Sequence, residues 1–143
     1  MTIAAILKQK GSAVAEVGPT ALISDVAVLL SERRIGAVLV RDTAQQLMGI
    51  VSERDIVHGL ARHGAAVLQM TAGQLMTRNL QTATPRTTVP EAMELMTTGR
   101  FRHLPVIEDG NLVGVISIGD VVKSRMEQQA QEVDSLKAYV AGA

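Results

Sequence analysis

The amino-acid sequence predicts an α/β fold of two β-α-β-β-α repeats, packed with pseudo-two-fold symmetry and followed by a long C-terminal helix. The strongest indication is a repeated heptapeptide: "GIVSERD" at 49–55 and "GVISIGD" at 114–120 share a glycine, two β-branched residues, a serine and an aspartate. Helical and strand-like apolar spacing also follows the same order in both halves. Finally, residues 120–141 contain neither glycine nor proline, which predicts one continuous helix.

The two repeats stay in register along most of the chain. Matched residues lie 66 positions apart up to the middle strands and 65 apart afterwards, so the second copy lacks one turn residue. The longer spacing relates Pro19 to Pro85 and Val40 to Val106. We therefore predict repeat 1 at residues 1–68, repeat 2 at 69–125 and a helical tail at 126–143.

The elements of each repeat can be assigned in order. A short strand that a proline terminates begins each copy, at 12–19 and 79–85. Helical apolar spacing follows at 24–34 and 90–100. Two apolar strands come next, and Asp109-Gly110 predicts a tight hairpin turn between the second pair. A three-stranded sheet cannot bury both of its faces alone, so the repeats are expected to pack against each other.

Composition argues against several classes of function. The chain of 143 residues is 47% hydrophobic, which is enough for one compact domain. Basic and acidic residues both number 14, and Phe101 and Tyr139 are the only aromatic residues, so basic and stacking surfaces for nucleic acid are missing. The absence of cysteine, of a P-loop and of metal-ligand spacing disfavours an enzyme or a metalloprotein. No apolar stretch approaches the roughly 20 residues of a membrane span, and we expect a cytoplasmic protein.

The repeated motifs resemble a tandem pair of cystathionine-β-synthase (CBS) domains, also known as a Bateman module. The resemblance covers about residues 1–125 and rests on the two glycine-to-aspartate junctions, "LMTRNLQTATP" at 75–85 and "RFRHLPV" at 100–106. It implies two clefts between the repeats that bind AMP, ADP, ATP or NAD, with S-adenosylmethionine less favoured. It also implies that Asp55 and Asp120, which end the junctions, hold the ribose hydroxyls.

The chemistry of the junctions allows two interpretations. Each Ser-x-x-Asp can be a capping box that starts a helix without any ligand. Alternatively, Asp55 and Asp120 accept hydrogen bonds from adjacent ribose hydroxyls, while Ser52 and Ser117 contact ribose or phosphate near a helix N-terminus. Arg54 has only a glycine as its counterpart, so we expect two unequal sites, with Arg54 either paired with a phosphate or solvated.

The resemblance also assigns roles to the loop before the second strand of the repeat. In relatives this loop lines the nucleotide pocket and approaches the phosphates, and in repeat 2 it corresponds to Arg102, His103 and Pro105. The matching loop of repeat 1 carries Gly36 and Ala37 without a basic group, so phosphate contact there is in doubt.

A further expectation concerns the adenine base. The backbone of Thr82 and Ala83 corresponds to the strand that meets the adenine edge in relatives. With two aromatic residues in the chain, base recognition would rely on aliphatic walls and backbone polar groups.

The tail carries a heptad pattern over about three heptads. Its seam positions are Val122, Met126, Gln129, Val133, Leu136 and Val140. We expect this helix to pair with another chain, Gln129 helping to fix the register, although a tail folded back over its own repeats is the alternative.

Together these features predict a non-catalytic regulatory module that senses adenine nucleotides, requires no cofactor, forms a homodimer and acts on a separate partner protein. The alternative is a ligand-free structural or scaffold homodimer that acts through its C-terminal helix.

Overall fold

The computed structural model describes residues 1–142, which divide into two compact units. The amino unit is Ala13–Leu80, and the carboxyl unit joins Met1–Ser12 to the chain from residue 81 onward. These limits differ from the predicted repeat boundaries. Residues 1–12 belong to the carboxyl unit and residues 69–80 to the amino unit, while the repeat boundaries, which rest on sequence matching, stay a prediction.

The amino unit contains a three-stranded sheet in the order β1-β2-β3, in which β1 is parallel to β2 and β2 is antiparallel to β3. Its strands are β1 (Glu16–Val17), β2 (Ala37–Arg41) and β3 (Leu47–Ser52). Its helices are α2 (Ile23–Arg33), α3 (Glu53–His63), a 3-10 helix (Gly64–Gln69) and α4 (Ala72–Leu75).

The carboxyl unit is built on one antiparallel hairpin, β4 with β5. Its elements are α1 (Ile3–Lys10), α5 (Val89–Gly99), β4 (His103–Glu108), β5 (Asn111–Ser117) and α6 (Ile118–Gly142). The strand predicted at 79–85 is reduced to a single parallel bridge between Ala83 and Val106. The α/β class, the doubled unit and the long C-terminal helix are confirmed.

Local irregularities repeat at equivalent places in the two units. The strand register shifts after Val40 in one hairpin and after Val106 in the other, which are matched residues. The turn of the second hairpin has φ 50° at Asp109 and 78° at Gly110, the positive values that a two-residue type I′ turn requires. The internal repeat therefore extends to details of backbone geometry.

Two helices that the repeat pattern did not predict complete the cores. Helix α1 buries Ile3 and Ile6 among the apolar residues of the carboxyl unit, and α4 with the residue after it buries Ala72 and Met76 in the amino unit. Each segment precedes one repeat in the chain but contributes to the unit that contains the other repeat's hairpin. A segment of this kind covers strand surface that would otherwise face water.

The close approach of these segments explains the glycines that begin the two junction motifs. A Cβ atom at Gly49 would lie 2.6 Å from the carbonyl oxygen of Thr77 and 2.8 Å from the sulfur of Met76. At Gly114 it would lie 2.7 Å from a terminal methyl of Leu7, which is a side-chain end and can move. Gly49 is therefore the more restricted position, since its neighbour is backbone.

Replacing Gly49 with alanine is expected to lower the free energy of unfolding by about 1–3 kcal/mol, because the new methyl group overlaps the backbone of Thr77. Gly18→Ala is the matched control, since no atom lies within 4 Å of its added Cβ. Urea denaturation of both variants measures the difference. Equal stability of the two variants would contradict the packing role assigned to Gly49.

Candidate functional site

In each unit, the predicted loop and junction residues lie at one end of the β-hairpin. In the amino unit, Ala37 at the start of β2 pairs with Ser52 at the end of β3. The carbonyl of Gly36 accepts a 2.9 Å hydrogen bond from the amide of Glu53, the first residue of α3. The strand end at Ser52 and the helix start at Glu53 are thus joined to this loop, three and two residues before Asp55.

The carboxyl unit repeats this arrangement. His103 at the start of β4 pairs with Ser117 at the end of β5. The carbonyl of Arg102 accepts a 2.8 Å hydrogen bond from the amide of Ile118, the first residue of α6. Arg102 and His103 therefore occupy the places of Gly36 and Ala37, and they carry basic side chains where the amino unit has none.

Asp55 takes part in a complete capping box at the start of α3. Its Oδ2 accepts hydrogen bonds from the amide of Ser52 at 2.8 Å and from the Ser52 hydroxyl at 3.0 Å. The Asp55 amide in turn donates to Ser52 Oγ at 3.2 Å. Oδ1 accepts one longer bond, 3.3 Å from the hydroxyl of Thr77, so it retains acceptor capacity.

Asp120 forms the same reciprocal pair at the start of α6, with an added cation. Its Oδ2 accepts from the amide of Ser117 at 2.8 Å, while the Asp120 amide donates to Ser117 Oγ at 3.1 Å. The ammonium group of Lys10 donates to the same Oδ2 at 2.7 Å. These contacts involve Oδ2 and the amide of Asp120, so the cap and the ion pair share one carboxylate oxygen.

Lys10 and Thr77 occupy corresponding places, and the sequence analysis identified neither. Lys10 Nζ donates to the carbonyl of Val115 at 2.8 Å as well as to Asp120. The amide of Thr77 donates at 2.8 Å to the carbonyl of Ile50, the residue matched to Val115, while its hydroxyl contacts Asp55. Each junction carboxylate thus meets a donor from a distant segment, but that donor is charged only at Asp120.

The pKa of Asp120 lies below its ordinary value of 3.8. Burial raises this pKa, since the side chain is 24% exposed, but hydrogen bonds from Lys10 and Ser117 and the charge of Lys10 outweigh burial. The carboxylate of Asp120 is therefore ionised and already paired with a cation.

The remaining predicted site residues differ in accessibility. The side chains of Arg54, Arg102 and Thr82 are exposed. Pro105 is buried as the third residue of β4, not in the loop before that strand where the sequence analysis placed it. Ala83 is 4% exposed, its amide donates to the carbonyl of Pro105 at 2.9 Å, and its carbonyl accepts from the amide of Ile107 at 2.8 Å.

Residues 1–142 contain neither a cluster of metal-ligating side chains nor a helix suited to a membrane. No group of three histidine, cysteine, aspartate or glutamate side chains lies close enough to hold a metal ion. Over the same described range, no helix is both long and apolar enough to cross a membrane.

The chain belongs to the CBS domain family. The CBS domain model matches residues 12–62 and again residues 72–127. These two matches correspond to the two repeats, and each contains one of the Ser-x-x-Asp junctions. The resemblance found in the sequence is thereby confirmed.

Known relatives support this assignment. The mitochondrial CBS domain-containing protein CBSX3 of Arabidopsis thaliana is 37% identical over 122 residues, which span 82% of this chain and 59% of that protein. A CBS-domain containing protein from Agrobacterium tumefaciens has a TM-score of 0.86 at 45% identity, covering 87% of this chain and 99% of its own. A CBS domain protein from Pyrobaculum aerophilum, complexed with AMP, has a TM-score of 0.73 at 28% identity, covering 84% and 89% respectively. Because the Arabidopsis relative is mitochondrial, the cytoplasmic location stays a prediction.

Lys10→Met is expected to raise the pKa of Asp120, because removing the ammonium group leaves the effect of burial less opposed. In the unchanged protein, a depressed pKa means that the stabilising contribution of the carboxylate is complete above about 4 and is lost as the pH falls through and below that value. Carbon-detected NMR titration of the aspartate carboxyl groups measures the pKa directly. Lys8→Met, which removes another exposed lysine of α1, is the control and should leave the Asp120 titration unchanged.

Proposed function

We propose that this protein is a non-catalytic regulatory module that binds adenosine nucleotides through its two junction aspartates. The observation that carries the proposal is the duplicated hairpin end, at which a helix N-terminus, a serine and an ionisable carboxylate occur together in each unit. A structural relative that holds AMP supports the ligand class. The expected ligands are AMP, ADP, ATP or NAD, with S-adenosylmethionine less favoured, and no cofactor is required.

The capping bonds are compatible with ribose binding. They use Oδ2 of each aspartate and leave Oδ1 outside the cap in both units. They also hold the carboxylate in one orientation, so less side-chain freedom is lost when a ligand binds. A ribose hydroxyl that donates to such a carboxylate forms a charge-assisted hydrogen bond, which contributes about 1.5–3 kcal/mol.

Phosphate groups have candidate partners in both units. In the amino unit, the exposed guanidinium of Arg54 lies in the first turn of α3, whose free amide groups favour anions. In the carboxyl unit, Arg102 and His103 lie beside the start of α6. Ser52 and Ser117 are half-buried at the same hairpin ends and would contact ribose or phosphate.

The adenine base would meet the segment before α5. Because both backbone polar groups of Ala83 are bonded to β4, we assign the polar contact with the base to the exposed Thr82 and an apolar contact to Ala83. In the amino unit, Gly36 and Ala37 would line the site without contributing charge.

The two junctions should differ in how strongly they bind a ribose. Asp55 meets the neutral hydroxyl of Thr77, whereas Asp120 is paired with the ammonium group of Lys10. A ribose at Asp120 must either use Oδ1 alone or displace Lys10. We therefore assign the stronger ribose contact to Asp55.

Regulation would be transmitted through α6, because this single helix begins at Asp120's junction and continues to Gly142. We further propose a homodimer in which the exposed part of α6 supplies the contact surface, and a separate partner protein that responds to it.

A ligand-free scaffold is the second candidate function. It is favoured by the reciprocal serine and aspartate bonds, which satisfy both helix starts without any nucleotide. On that account the junctions only stabilise the fold, and α6 alone carries the interaction.

Asp55→Asn is expected to weaken nucleotide binding at least tenfold, because the amide keeps an acceptor for the Ser52 cap but loses the charge that strengthens the ribose bond. Asp120→Asn should weaken it less. Isothermal titration and thermal shift with AMP, ADP, ATP, NAD and S-adenosylmethionine measure these effects. A ligand at 100 times its dissociation constant adds about 2.7 kcal/mol of stability.

Thr88→Ala is the matched control, since it removes the side-chain cap of α5 and leaves both junctions intact. It should lower stability by about 1 kcal/mol without changing nucleotide affinity. If both asparagine variants bind like the unchanged protein, the aspartates are caps only. If no nucleotide raises the melting temperature of the unchanged protein, the scaffold account is correct.

A further inference from the structure

We propose that the exposed part of α6 pairs with the same helix of a second copy of this chain, as a parallel and in-register two-stranded coiled coil. This specifies the homodimer of the proposed function but does not depend on nucleotide binding. The seam positions alternate by four and three residues, as the heptad pattern requires. They are Val122, Met126, Gln129, Val133, Leu136 and Val140, and the five apolar ones are between 42% and 66% exposed.

The seam faces away from the unit that α6 belongs to. The residues of α6 that pack on the carboxyl unit are Val121, which is fully buried, and Ser124, which is 6% exposed, with Gln128 half-buried. With 3.6 residues per turn, these positions lie about 100–160° around the helix from the neighbouring seam residues, so they face a different side. A second helix can therefore cover the seam without disturbing the packing of α6 on its own unit.

No other described part of the chain covers the distal half of α6. Residues 129–142 are all exposed, and this segment is about 14 residues long. Isolated helices of that length are marginal in water unless an apolar face is packed. A partner helix along the seam would provide that packing.

The charged residues beside the seam favour pairing with a second copy of this chain in the parallel orientation. In a parallel, in-register pair, Glu132 flanks the seam and lies beside Lys137 of the partner subunit, and symmetry produces this pair twice. The next flanking residue, Arg125, lies beside an alanine, so no like charges meet. An antiparallel pair with the same overlap would place Glu132 beside Glu132 of the partner subunit and Lys123 beside Lys137 of the partner subunit, which is repulsive.

Gln129 indicates the same orientation. The parallel in-register pair puts the two Gln129 side chains next to each other, where their amides can hydrogen-bond across the seam. The antiparallel pair would put Gln129 against Val133 of the partner subunit and bury an amide without a partner, which costs stability. A polar seam residue of this kind specifies register in coiled coils.

Charge reversal in the full-length protein tests the orientation. Glu132→Lys and Lys137→Glu, each alone, should raise the dimer dissociation constant on the order of tenfold, because two attractive pairs become repulsive. The double variant should return close to the unchanged value. Sedimentation equilibrium measures the constants, and Asp134→Lys is the matched control because it reverses a charge outside the seam and its flanks.

The other outcomes overturn the proposal. Tighter dimerisation of Lys137→Glu would indicate the antiparallel pair, because it removes the contact between Lys123 and Lys137 of the partner subunit. An unchanged constant in both single variants, or a monomer at micromolar concentration, would show that the seam does not pair copies of this chain. Nucleotide titration of the unchanged protein is a separate measurement, so a failure of chain pairing and a failure of nucleotide binding can be told apart.

A cross-link provides an independent measurement. The chain contains no cysteine, so Leu136→Cys introduces a single thiol at a seam position. In the parallel in-register pair the two thiols are neighbours and should form a disulfide-linked dimer under mild oxidation. Gln131→Cys, on the side away from the seam, should not. Absence of the disulfide at position 136 would contradict the parallel register.

Discussion

The reciprocal hydrogen bonds between serine and aspartate at the two strand-to-helix junctions are the interaction on which the rest of the structure depends. At Ser52 and Asp55 they satisfy amide groups that a helix start would otherwise leave unpaired, and they fix the direction in which α3 leaves β3. Ser117 and Asp120 do the same for α6. Each carboxylate is thereby held at a hairpin end. The aspartate that caps the helix is therefore already in place as a candidate ligand-binding group.

The two units share these reciprocal hydrogen bonds, but the donor group that contacts the carboxylate differs between them. Thr77 brings a neutral hydroxyl to Asp55, whereas Lys10 brings an ammonium group to Asp120 and lowers its pKa. A duplicated fold therefore carries two chemically distinct carboxylates. The difference arises because the covering segments α1 and α4 differ in sequence and length, although each meets the same part of its hairpin.

Helix α6 connects the second junction to the exposed seam. Its first turns are held by the carboxyl unit through Val121 and Ser124, and its distal half is left for a partner. Because an α-helix is stiff along its axis, a change in how Asp120 is bound acts on the same element that presents the seam. The carboxyl unit thus joins a candidate nucleotide site and a candidate interface in one piece of secondary structure.

The sequence by itself determined the doubled α/β architecture, the tight turn at Asp109 and Gly110, the helix starts at the two junctions and the heptad seam. All of these depend on residues a few positions apart, so the spacing of residue types along the chain is sufficient to reveal them. Only the tertiary structure decided that residues 1–12 join the carboxyl unit, that the strand at 79–85 shrinks to one bridge, and that Lys10 pairs with Asp120. Lys10 and Asp120 are 110 positions apart, and no local pattern encodes a contact that only the packing of α1 on the hairpin brings about.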